Sequence, residues 1–157
     1  MNMLSRVMLL LALAMPVGVL APAGLTPIPA AEAAETQVAL QMLVVHATDS
    51  TTGVDPRLQA LASSFKYFKY KGYKLLSTQN AELGAGKDTS FSLEGSRKVK
   101  ASLISVDETR AKLRVEISGR DSKFVDTTVS ISRDGTFIVA GPRYEDGILM
   151  LLFRASY

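Results

Sequence analysis

The chain has 157 residues, a formal charge of +3, a hydrophobic content of 47% and no cysteine. That length allows one domain of ordinary size with its own core. The lack of cysteine excludes a disulfide-stapled scaffold, and so mild a positive excess excludes the heavy basic footprint of a typical nucleic-acid binder.

Met1 to Arg6 carries the start amine and one arginine, Val7 to Leu20 is almost wholly apolar, and Thr26 to Ala34 supplies proline, alanine and an Ala31-Glu32-Ala33 triplet. This is the order of a secretory signal peptide, with cleavage near Ala33 or Ala34. As a membrane span the run is short, about 14 residues against the roughly 20 that a bilayer-crossing helix needs, and Pro16 and Pro22 interrupt it. The expected organisation is a signal peptide over 1–33 and one exported domain over 34–157, periplasmic or extracellular, with no transmembrane helix in the mature form. Removing 1–33 takes away Arg6 and Glu32, so the side-chain balance stays at +3.

In the mature chain, Val38 to Ala47 is a strand whose two faces, Val38/Leu40/Met42/Val44/His46 and Ala39/Gln41/Leu43/Val45/Ala47, are both mostly apolar. Such a strand must be central or covered on both sides. Asp49 to Gly53 follows as a polar loop. Asp55 fits a helix N-cap and Pro56 the first helical position, and Leu58, Leu61, Ala62, Phe65 and Phe68 then form an apolar stripe. Lys69 would fall on that stripe, so the helix is expected to stop near Phe68.

Gly72 permits the turn into a strand from Tyr73 to Ser77, extending toward Leu83. Short strands follow near Thr89 to Leu93, Arg97 to Val106, Ala111 to Ser118, Phe124 to Ile131, Thr136 to Ala140 and Ile148 to Ala155, joined by Gly-, Asp- and Ser-bearing turns. Leu113, Val115 and Ile117 alternate with Lys112, Arg114 and Glu116, the pattern of an antiparallel sheet with one wet face. The closing run Ile148 to Phe153 is apolar on both faces and should lie beside the equally apolar first strand. The expected fold class is α+β: a mostly antiparallel β meander of about seven or eight strands, as a sandwich or open barrel, with one amphipathic helix of about three turns near the N-terminus of the mature domain.

Catalytic motifs are absent from the pattern. His46 is the only histidine, so a transition-metal site would have to be built largely from carboxylates; none is expected, and no cofactor. A general-base role for His46, in a small secreted hydrolase, is the alternative function, but no spacing marks a serine or acid as its partner. Gly84 to Thr89 resembles a phosphate loop but carries Asp88 after the lysine and Ala81 in place of the first glycine. Asp107-Glu108 and Glu145-Asp146 read as solvated hairpin ends. Leu149, Leu151, Phe153, Ala155 and Tyr157 alternate in a way that resembles the closing strand of outer-membrane barrels, a third reading that the short strands and the helix oppose.

The stretch from Phe65 to Lys74 interleaves aromatics and lysines. Phe65 and Phe68 belong to the core stripe. Lys66, Tyr67, Lys69, Tyr70, Lys71 and Tyr73 are the candidate binding residues, tyrosines stacking on sugars and lysines meeting carboxylate or phosphate groups. The expected function is thus an exported, non-enzymatic envelope module that holds a protein or glycan partner, and not nucleic acid, through this patch or a sheet edge.

Overall fold

The computed structural model describes residues 36–157, so the expected signal peptide lies outside the described residues. The chain runs through β1 (Val38–Thr48), β2 (Gly53–Val54), a 3-10 helix (Pro56–Leu61) continuing into a single α-turn α1 (Ala62–Phe65), β3 (Gly72–Leu83), β4 (Asp88–Leu93), β5 (Arg97–Val106), β6 (Arg110–Ser118), β7 (Lys123–Ser132), β8 (Thr136–Tyr144) and β9 (Gly147–Ser156). One sheet has the order β2-β3-β1-β9-β8 and the other is the meander β4-β5-β6-β7. Every pairing is antiparallel except that of β2 with β3. The expected α+β class and antiparallel sandwich are what the chain forms. The one strand beyond expectation is the two-residue β2, cut from what reads as a polar loop.

The two-faced strands explain the layering. β1 and β9 lie side by side in the middle of the five-stranded sheet, His46 opposite Leu149 and Met42 opposite Phe153. Val38, Leu40, Met42 and Val44 with Leu149, Leu151, Phe153 and Ala155 join the inward residues of the meander, such as Val99, Leu113, Ile117 and Ile131, in one core. The opposite face puts Leu43, Val45, Ala47, Met150 and Leu152 under Leu58 and Phe65 of the helical segment, in a second apolar cluster. A strand covered on both sides has no wet face to alternate toward, which is why its sequence does not alternate.

Four bulges reset this phase. Leu76 is the extra residue of β3 between the Val44–Ser77 and Val45–Leu75 pairs, so Tyr73 and Leu75 meet the helix while Ala81 and Leu83 meet the sandwich core. Ile104 and Phe124 are the extra residues of β5 and β7, and the bulges turn both out to solvent. Gly141-Pro142 bulges opposite Leu149, where the missing proline amide costs no ladder bond.

The helix is shorter than its apolar stripe suggests, and loop closure is the reason. Gly53 donates to the Lys71 carbonyl at 2.9 Å and Asp55 to that of Tyr73 at 2.8 Å, so the excursion begins and ends at one place. A continuous helix from Pro56 to Phe68 would carry the chain about 20 Å away, and Lys69 to Lys71 reach back only about 11 Å at full extension. Ending the helical segment at Phe65 resolves the mismatch by leaving Lys66 to Lys71 for the return, and Leu58 and Phe65 still reach the cluster.

Asp55 is the predicted N-cap and does more than cap. Its carboxylate accepts from the Arg57 amide (3.0 Å), the Arg57 guanidinium (3.1 and 2.8 Å) and the Leu75 amide (3.2 Å), tying the helix start to β3. Asp55→Ala should lower Tm by several degrees in thermal unfolding. The Arg57 side chain above all, then the Arg57 and Leu75 amides, hold this carboxyl well below the usual carboxylate range. The unfolded chain therefore takes up the proton first. The stabilisation is complete above about pH 4 and fades as pH falls through the lower folded value, so Asp55→Asn should flatten the acid limb of the stability curve.

Candidate functional site

The lysine–tyrosine stretch leaves the helical segment and enters β3, and the fold sorts its members. Tyr73 is buried: its ring stacks on Phe65 with centroids 4.4 Å apart, and its hydroxyl donates to the Phe65 carbonyl at 3.3 Å. Tyr70 is half-buried against the same cluster. Tyr67 is 89% exposed, the most exposed large apolar side chain of the described residues, and Lys66, Lys69 and Lys71 are exposed beside it. Among the described residues none of these lysines makes an ion pair. The outward members of the stretch are thus Lys66, Tyr67, Lys69 and Lys71, on a loop whose base is fixed by the Lys71 amide donating to Asp49 (3.2 Å).

Side chains cap one backbone position on each of two strand edges. Arg57 and Asp55 bond the carbonyl and amide of Leu75 on β3. The Gln79 amide group bonds the carbonyl and amide of Ser92 on β4 (2.7 and 3.3 Å). Capped backbone groups offer no ladder to an incoming strand.

A concavity of about 630 Å³, which sequence reasoning missed, lies on the outward face of the five-stranded sheet where the helical segment does not reach. Gln41, Asn80, Glu82, Arg154 and Ser156 line it, with Gln41 donating to Asn80 at 3.1 Å. A signal existed: Gln41 and Arg154 are polar interruptions in the two doubly apolar strands, and they stand directly opposite one another.

His46 is buried at the rim of the sandwich core, one edge of its ring meeting Tyr144 at 5.3 Å. The Thr48–Gly147 pairing brings the β8–β9 turn to it. Nε2 lies 3.4 Å from Asp146 Oδ1 without hydrogen-bond geometry, and Ser50 donates to the other Asp146 oxygen. The hydroxyls of Ser50 first, then Thr48, hold the Asp146 carboxyl below its usual range. In a hydrolytic triad the imidazole stands between serine and acid. Here the acid stands between serine and imidazole, so among the described residues this arrangement gives His46 no nucleophile to deprotonate, and His46 does not line the concavity. Glu145 completes the group: one ligand-type atom each from His46, Glu145 and Asp146 lie within 4.8 Å of one another.

Asp107 and the Gly84 to Thr89 segment sit in turns. Asp107 accepts from the Thr109 and Arg110 amides (2.8 and 2.9 Å), closing the β5–β6 hairpin. Lys87 donates its amide to the Gly84 carbonyl (3.1 Å), and Asp88 lies 3.5 Å from Lys100, so that segment is a turn carrying the chain from β3 of one sheet to β4 of the other, not a hairpin, and it has no phosphate cradle. On the outer face of the meander, Asp126 of β7 is bound by Nε and Nη2 of Arg114 (2.9 and 2.8 Å) and by Lys123 (3.1 Å). No helix of the described residues is long and apolar enough to cross a membrane. No family model matches the chain, and no curated protein or solved structure is significantly similar to it.

Proposed function

We propose that the chain is an exported, non-enzymatic binding module of a cell envelope, periplasmic or extracellular, which holds a protein or glycan bearing carboxylate or phosphate groups. The observation that carries this reading is Tyr67, 89% exposed and flanked by lysines that have no ion-pair partner among the described residues. An exposed aromatic ring beside cations offers one ligand both a stacking face and positive charge. A sugar face stacks on such a ring while acidic substituents meet the ammonium groups.

The alternatives draw less support. A hydrolase would need the serine on His46. A membrane barrel would present an apolar band to lipid, whereas Lys100, Arg114, Glu116 and Asp126 project from the outer face of the meander and the alternating residues of β9 point into the core. Lys66→Ala/Tyr67→Ala/Lys69→Ala should abolish retention of the purified protein on acidic envelope glycans, and on protein captured from an envelope fraction, with Tm nearly unchanged. Tyr70 is left intact because it packs on the core. Undiminished retention would overturn the patch, and a loss instead on Arg154→Ala would move the site to the concavity.

A further inference from the structure

We propose that His46, Glu145 and Asp146 form a binding site for a divalent transition-metal cation of the zinc class. The first ground is an orphan. The His46 side chain is only 10% exposed, yet its Nε2 has no hydrogen-bond partner among the described residues. A buried polar atom left unsatisfied is costly and calls for an occupant.

The second ground is distance. Nε2 and Asp146 Oδ1 stand 3.4 Å apart, too long and misaligned for a hydrogen bond. A tetrahedral cation holding nitrogen and oxygen ligands at about 2.0–2.1 Å sets them about 3.3–3.4 Å apart, which is the separation found. Glu145 brings the third donor inside the same sphere of 4.8 Å. Two carboxylates neutralise a dication, and the imidazole selects zinc-like cations over magnesium or calcium.

The surroundings fit a ligand shell. Ser50 bonds the second Asp146 oxygen, and Tyr144 packs against the imidazole in a T-shaped contact, so both donors have neighbours that hold them in place. Asp146 is 46% exposed, which leaves the cation a path from solvent and a fourth position for water. A bound ion would tie β1 to the β8–β9 turn.

The sequence contains a single histidine and no cysteine, so the test has one reporter. Purified protein carrying no histidine tag is titrated with Zn2+ while the imidazole resonances are followed by NMR. The expected result is saturation at one equivalent, a shift of the Nε2 nitrogen and a raised Tm, with Mg2+ producing none of these. Glu145→Gln, at an exposed turn position, should weaken Zn2+ binding at least about tenfold without altering the fold, and Asp146→Asn should do likewise. Unmoved imidazole signals, or variants that bind Zn2+ as tightly as the parent, would overturn the site and leave a plain His46–Asp146 contact.

Discussion

Phe153→Ala should remove about 3–5 kcal/mol of folding stability, read as a lower urea midpoint at unchanged slope. Phe153 is fully buried in β9, between Met42 of β1 and Phe137 of β8, and it faces the core shared by the two sheets. Alanine would leave a cavity there that β9, held by ladders to β1 and β8, cannot collapse to fill. Domains of this kind keep about 5–15 kcal/mol in total, so the variant should stand close to unfolding. Arg154→Ala, one residue on, turns to the exposed face and should change stability by no more than about 0.5 kcal/mol. A small loss at Phe153 would mean that β9 does not lie at the centre of the sandwich.

That centrality was legible before any coordinates, because Val38 to Ala47 and Ile148 to Phe153 are apolar on both faces and only a doubly covered strand tolerates that. The meander was legible too, since Leu113, Val115 and Ile117 alternate with charge and each turn carries its own chemistry. The helix was half legible. Asp55 and Pro56 mark its start, but its length is set by the return of the chain from Val54 to Gly72, a tertiary condition that no local period carries. The bulges at Leu76, Ile104 and Phe124 escape notice for a related reason: an extra residue in a ladder is defined by its partner strand.

The candidate sites divide along the same line. The lysine–tyrosine stretch is contiguous, so composition found it, although phasing alone did not show that Tyr73 stacks on Phe65. His46 and Asp146 stand a hundred positions apart, and only the β1–β9 pairing joins them. Glu145-Asp146 therefore read as a solvated hairpin end, although a buried imidazole lies against it.

The junction between fold and site is Gly147, and Gly147→Ala should be the most damaging of the single-methyl additions. A Cβ there would lie inside contact of the Ala47 carbonyl oxygen, 2.9 Å from the Ala47 carbonyl carbon and 3.1 Å from His46 Nε2. The clashing atoms are backbone of a central strand, so relief requires parting β1 from β9. A cost of about 1–3 kcal/mol or more is expected. Gly86→Ala is the control: its added methyl meets nothing within 4 Å, and only the left-handed backbone at φ +76 resists it, for about 1–2 kcal/mol. Chemical denaturation should rank Gly147→Ala as the larger loss, and the imidazole resonances of His46 should shift in that variant alone. The reverse ranking would mean that the end of β1 yields freely, in which case the turn carrying Glu145 and Asp146 is not held against His46 by the sheet.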